Sequence, residues 1–431
     1  GADPTPGGDG SDVSGGGAGS AAGGGAALGG LGPRLTGAVG GGTPANISPP
    51  FPFESLVLAF LYIVPMNFVI QAYGSSMLSE RLNRRGELLL VTPASRGDII
   101  AGKTLPYFAG AIGVAALITA TLRFSGIAPG GSPIAVLAVL PIAMLFLAAT
   151  FCGAMFARSF KELTFVTVTI TVSLTSYAFV PAIFTDVTPI ALISPLTLVV
   201  HDLQGTGVTA AEYVFSTGPF YVGSAVCFLL GVGVYREEDM FTQRPVPLKF
   251  LDALNSRITR ARSVAVLSAL SIPFVFIAEL LAIAVLFVLP VEVSVPLLLV
   301  AIAAVEEVAK SLHVYAGFRG PFADRRGWRT ALALGALSGL GVFLGEKLPA
   351  IVRFVCLPYL TLGGASFFSA VVAAAPAVRA SPPHAPHAPP ATTTAIAALG
   401  ATRDRNSYLA SLVPAVAVHA AYNLTVVSTL G

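Results

Sequence analysis

The sequence predicts an all-α polytopic membrane protein of about ten transmembrane helices in two bundles, and three observations carry that prediction. Of its 431 residues, 54% are hydrophobic and only 11% are charged, where a soluble domain carries about 25% charged residues. From Phe53 onward, apolar stretches long enough to cross about 30 Å of hydrocarbon recur between short polar loops. Basic residues gather in every second loop. A net charge of +3 and three cysteines argue against a nucleic-acid binder and a disulfide scaffold. Cys152, Cys227 and Cys356 each stand in an apolar run, where a packing role is expected.

Residues 1–49 open the chain as a glycine-rich tail, with 18 glycines in the first 45 positions. Such a stretch lacks the apolar residues to build a core and is expected to be disordered. Asn46-Ile47-Ser48 fits a glycosylation acceptor, with Pro49 against its use. The chain does not begin with Met, and no charged segment followed by an apolar core precedes the rest, so it reads as processed or truncated.

Spans are expected near 54–74, 104–122, 134–157, 163–184, 214–235, 264–289, 295–317, 330–348, 354–378 and 407–428. Arg81, Arg84, Arg85, Arg96 and Lys103 follow the first span, and Arg158 and Lys161 the third. Arg236, Arg244, Lys249, Arg257, Arg260 and Arg262 follow the fifth, and Arg319, Arg325, Arg326 and Arg329 the seventh. Placing all four clusters inside puts the tail outside a cell membrane. The loop 241–263, with prolines at 245 and 247, divides a membrane unit at 50–240 from a second at 264–431. The segment 384–401 breaks the alternation, which leaves the topology after 380 open.

In the first unit, residues 79–107 combine a charged start, Leu88-Leu89-Leu90 and a Pro-Ala-Ser-Arg turn ahead of a second amphipathic piece. A helix of this kind would lie along the inner membrane face. The order Glu80-Arg81, Gly86-Glu87-Leu88-Leu89, Thr92-Pro93, Ser95-Arg96, Gly102-Lys103 and Pro106 resembles the coupling segment of ABC-2 type exporter permeases, and Ser194-Pro195-Leu196-Thr197 is similar to that family as well. The resemblance implies that Glu80, Arg81, Gly86, Glu87 and Pro93 dock a separate ATP-binding subunit, and that the protein forms a homodimer. The family's usual first span and most of its outer domain are missing. Gly97 to Thr104 also satisfies a P-loop pattern. A phosphate cradle needs a preceding strand and a following helix that faces the phosphates; that context is lacking, and no nucleotide is expected to bind this chain.

In the second unit the acidic residues within spans stand out, because charge there is expensive. Glu306-Glu307-Val308-Ala309-Lys310 is followed by His313, and helical spacing puts Glu306, Lys310 and His313 along one face with Glu307 about 100° round. Glu346 follows in the next span, and His419 and Asn423 share a face of the last. Each alone reads equally as a packing ion pair or interhelical hydrogen bond. Together, carboxylates and imidazoles are the groups a metal-water hydrolase requires. This set, with Gly341, a histidine ahead of a small-residue run ending at Gly400, and His419-x-x-Tyr422-Asn423, resembles the PrsW family of intramembrane metalloproteases. The resemblance implies a divalent ion, zinc by expectation, and a membrane protein or peptide as substrate. It makes Glu306 and Glu307 the catalytic carboxylate and its partner, Lys310 the ion-pair partner of Glu306, and Glu346, His387 (or His384) and His419 the metal or water site. Asn423, where the family often has Asp, would stabilise the oxyanion or orient His419. If both resemblances hold, the chain is a fused permease and protease. Otherwise it is an exporter subunit whose second half only docks or senses.

Overall fold

The computed structural model describes residues 52–83, 93–185, 191–235, 244–286, 289–351 and 390–430. These are all-helical, with thirteen α-helices and no strand among the described residues. The first six are α1 (Phe53–Leu82), α2 (Arg96–Phe124), α3 (Pro133–Phe156), α4 (Phe160–Ile183), α5 (Pro195–Gln204) and α6 (Ala210–Val234). They are followed by α7 (Val246–Arg257), α8 (Ala261–Leu270), α9 (Ile272–Leu286), α10 (Val291–Phe318), α11 (Trp328–Ile351), α12 (Pro390–Ala401) and α13 (Arg405–Leu430).

Six helices, α1 to α4, α6 and α11, are long and apolar enough to cross a membrane. The pair α8 and α9, bent by 42°, makes a seventh if taken as one span. The chain is thus a membrane protein by the length and composition of its helices. The expected spans at 295–317 and 407–428 form helices α10 and α13, although neither passes the same test of length and apolarity. The expected disordered tail and the span at 354–378 lie outside the described residues.

In the first bundle α3 is the centre, packed against α1, α2, α4, α5 and α6. Its apolar residues run all round the helix, as a buried helix requires, and seventeen of its residues from Ala135 to Phe156 are buried. Cys152 and Cys227 are buried as free thiols, as expected. They are not isolated: the Cys152 thiol donates to the Cys227 carbonyl at 2.8 Å, across the α3–α6 contact. Cys356 lies outside the described residues. The short helix α5 is buried along almost its whole length. Its Asp202 carboxylate accepts from the Ser132 amide at 2.8 Å, the Ser132 hydroxyl at 2.6 Å and the Ala135 amide at 3.1 Å. An anion thereby caps the positive N-terminal end of α3.

Of residues 79–107, only 79–83 and 93–107 are described, and the expected second amphipathic piece is part of a long helix. Residues 79–82 finish α1 and Arg96 begins α2, with Ser95 and Asp98 closing a capping box. Helix propagation from that cap absorbs the expected amphipathic piece into the span. The P-loop-like run Gly97–Thr104 is wound into α2: Lys103 pairs with Glu80, and Thr104 bonds the Ile100 carbonyl and the Tyr73 hydroxyl. The expected linker 241–263 is also more than a connection. Its described part forms α7 and the start of α8, and α7 buries Ala253 and Leu254 while packing on both α6 and α10.

Two glycines fix the approach of α11 to the broken pair. A methyl group on Gly341 would stand 2.1 Å from the Ala265 carbonyl oxygen, and one on Gly345 would stand 2.7 Å from Ile272 and 2.8 Å from the Ala269 carbonyl. Only bare backbone allows such contact. Helix α10, about 42 Å long at 1.5 Å per residue, contacts α7, α8, α9, α11, α12 and α13, and so brings its middle turn to the centre of the second bundle.

Candidate functional site

That middle turn carries Glu306, Glu307 and Lys310. One helical turn of spacing lets the Lys310 ammonium donate to Glu306 Oε2 at 2.5 Å, as the sequence spacing predicted. The same ammonium lies 3.6 Å from Glu307 Oε1. The Glu307 and Lys310 side chains are buried, and Glu306 keeps 12% of its side-chain surface exposed.

His419 reaches the same place from α13, 112 residues further along the chain. Its Nδ1 lies 2.9 Å from Glu307 Oε1, and its Nε2 lies 3.9 Å from Glu306 Oε2. The Thr393 hydroxyl, arriving on α12, donates to the same Glu307 Oε1 at 2.9 Å. A carboxylate oxygen only accepts, so the proton in this bond sits on His419 Nδ1, and Nε2 presents a lone pair when the imidazole is neutral. Within this cluster, Glu307 Oε2 and His419 Nε2 have no hydrogen-bond partner among the described residues, Nε2 having only the Glu306 carboxylate at 3.9 Å. Both are acceptors. Buried acceptors left without donors are costly, and the ligand that satisfies them is a donor or a cation rather than an anion.

Of the residues singled out in the sequence, Glu306, Glu307, Lys310 and His419 are brought together, and Glu346 lies within electrostatic reach of Glu306, Lys310 and His419. His313 belongs elsewhere. Its Nδ1 bonds the Ala309 carbonyl at 2.7 Å and faces Ser268 at 3.5 Å, beside a Ser268–Ser338–Lys310 carbonyl chain of 2.8 and 2.6 Å that ties α8 and α11 to α10. Asn423 is half-buried one turn beyond His419 and makes no hydrogen bond with the cluster among the described residues. The imidazole is oriented by Glu307 instead, because the carboxylate is the stronger acceptor within reach. His384 and His387 lie outside the described residues.

Two participants were missed in the sequence. Glu279, on α9, lies within electrostatic reach of Glu306, Glu346 and Lys310. An acid inside the apolar run Ile272–Leu286 was its signal. Thr393 gave no such signal, since a hydroxyl is tolerated anywhere in a membrane helix.

The test for a metal centre turns on the unpartnered atoms. Glu307 Oε2 and His419 Nε2 are donors of the kind zinc takes. No group of three or more His, Cys, Asp or Glu side chains placed to hold a metal occurs among the described residues. The described residues thus offer two ligand atoms of the three that a catalytic zinc uses.

In the segment that the sequence led us to expect would dock an ATPase, Glu80 pairs with Lys103 and Pro93 stands in the exposed turn before α2. Gly86 and Glu87 lie outside the described residues, and Arg81 ends α1. Comparison with protein-family models, with characterised proteins and with solved structures gives no match for this chain.

Proposed function

We propose that the second bundle is an intramembrane hydrolase that cleaves a peptide bond of a membrane-associated substrate, with Glu307 as the base and His419 as its partner. The observation that supports it is the pair of buried, unpartnered acceptors on side chains joined by a 2.9 Å hydrogen bond from 112 residues away. A water molecule satisfies both acceptors with its two protons. Glu307 Oε2 takes one of these protons as the water oxygen attacks the carbonyl carbon, and His419 Nε2 holds the other. Glu307 then passes its proton to the amide nitrogen as the carbon–nitrogen bond breaks, which leaves a carboxylic acid and an amine. Lys310 stays charged, keeps Glu306 paired and supplies the positive field that tolerates the developing oxyanion, a role that Asn423 would share. A divalent ion such as zinc, held by Glu307 and His419 with Glu346 nearby or His387 completing the set, would supply Lewis-acid activation of that water.

We further read α10, α13 and the segment 354–378 as completing ten spans in a cell membrane, with the tail outside. Helices α1 to α6 are read as a permease-like bundle that recruits a separate ATPase through the loop between Glu80 and Lys103, as a homodimer. The capping box at Ser95 and the Glu80–Lys103 pair support that reading by fixing both ends of the loop.

The test is cleavage of a single-span peptide carrying a fluorophore and a quencher, reconstituted with the protein in liposomes. Glu307→Gln and His419→Ala should each abolish the signal, and Glu306→Gln should reduce it. Unchanged cleavage by Glu307→Gln, or none by folded wild type, overturns the proposal.

A further inference from the structure

We infer that Thr393 is a positioning residue that turns Glu307 so that Oε2 is the oxygen left for chemistry; this rests on the hydrolytic reading above. Glu307 Oε1 accepts from Thr393 Oγ1 and from His419 Nδ1, each at 2.9 Å, and has the Lys310 ammonium at 3.6 Å. Two donors match in number the two lone pairs of that oxygen. The carboxylate is then fixed about its last torsion, which is otherwise broad.

Each donor comes from a different helix, Thr393 from α12 and His419 from α13, whereas the acid itself is on α10. Thr393 is 1% exposed, so its hydroxyl is held against Oε1 away from bulk water. Without that hydroxyl, Glu307 keeps only the imidazole at Oε1. The carboxylate is then free to rotate toward Lys310, whose ammonium is already within 3.6 Å. Rotation consumes Oε2 in an ion pair, and the imidazole loses its fixed acceptor. Thr393 touches neither substrate nor the reacting atoms; it acts through Glu307 and, one bond further, through the His419 tautomer.

The experiment uses the full chain in liposomes with the quenched single-span peptide, comparing wild type, Thr393→Val and Thr393→Ser. Valine matches the shape of threonine without the hydroxyl, and serine keeps the hydroxyl. A lost positioning partner costs about 10- to 100-fold at comparable sites. Thr393→Val should therefore lower kcat about tenfold or more with KM within about twofold, while Thr393→Ser stays within about threefold of wild type. In parallel, the His419 Nδ1 proton resonance, assigned by its loss in His419→Ala, should shift in Thr393→Val and stay in Thr393→Ser. Wild-type kcat in Thr393→Val, equal defects in the valine and serine variants, or an unmoved resonance overturns the inference. Absence of cleavage by wild type instead overturns the hydrolytic reading, and the resonance still reports whether Thr393 holds the Glu307–His419 pair.

Discussion

Replacing Lys310 with methionine tests whether the cluster is held together by charge. The ammonium has 4% of its side-chain surface exposed, donates to Glu306 at 2.5 Å and lies 3.6 Å from Glu307. It also lies within reach of Glu279 and Glu346. Methionine keeps the volume and removes the charge, leaving the acidic side chains Glu306 and Glu307 without their shared cation. Removing one partner of a buried pair costs about 3–5 kcal/mol, because the other charge remains buried. The 12% exposure of Glu306 lets some water reach it, which places the expected loss near the lower end, about 3 kcal/mol. The measurement is the unfolding free energy in bicelles for wild type, Lys310→Met, Glu306→Gln and the double variant. The cycle should return a coupling of about 1.5–3 kcal/mol, the range of a hydrogen bond to a charged group. A Lys310→Met protein within about 0.5 kcal/mol of wild type, or strictly additive single losses, would refute the reasoning.

Three further outcomes follow from packing and caps. Gly341→Ala should lower stability by about 1–3 kcal/mol, since its methyl group would meet the Ala265 carbonyl at 2.1 Å, and a crosslink between α8 and α11 should form more slowly. Asp202→Asn should cost about 1–2 kcal/mol, read by thermal unfolding in detergent, because the α3 amides lose an anionic cap. The hydrogen bonds from Ser407 hold the Asp404 carboxyl below the usual carboxylate range. A lowered folded value means that its contribution is present above the unfolded value, about pH 3.9, and is lost as pH falls through the folded one. The stability gap between wild type and Asp404→Asn should therefore be constant at neutral pH and close only in strong acid; a gap that closes near neutrality would contradict the cap.

What the sequence reveals of this molecule follows the range of the interactions. The six described helices long and apolar enough to cross a membrane were legible because each is specified by its own run of apolar residues. The Glu306–Lys310 pair was legible because both partners stand one turn apart on one helix. The convergence of His419 on Glu307 was expected only through a family resemblance, since nothing local links positions 112 residues apart. Thr393 is paired across 86 residues and carries a residue type common in membrane helices, so its role appears only once α12 is placed. Glu279 was within reach of the same rule that found Glu346, an acid in an apolar stretch. The packing of α7 was hidden for a different reason. Its charges suggested a solvated linker, whereas Ala253 and Leu254 bury one face against α6 and α10.

The way α10 and α13 are joined bears on what the site can do. Below the Glu307–His419 bond, the Ser311 and Tyr408 hydroxyls meet at 2.8 Å, and the Tyr315 and Tyr408 rings stack with centroids 4.5 Å apart and planes 8° from parallel. Ser311 also donates to the Glu307 carbonyl at 2.6 Å, which ties the contact to the backbone of the acid itself. A hinge between these helices would have to break a stacked aromatic pair, worth about 0.5–1.5 kcal/mol beyond its buried area, together with the buried hydroxyl bond. Geometry held by two such ties one turn apart is pre-organised rather than assembled on binding. The opposite flank is different in kind. There α8 and α9 meet at a 42° bend and carry Glu279 toward the cluster, and α11 approaches through bare glycine backbone. The acid and imidazole thus stand on helices joined by two ties one turn apart, whereas α8 and α9 are joined at a bend and α11 approaches α8 through glycine contacts.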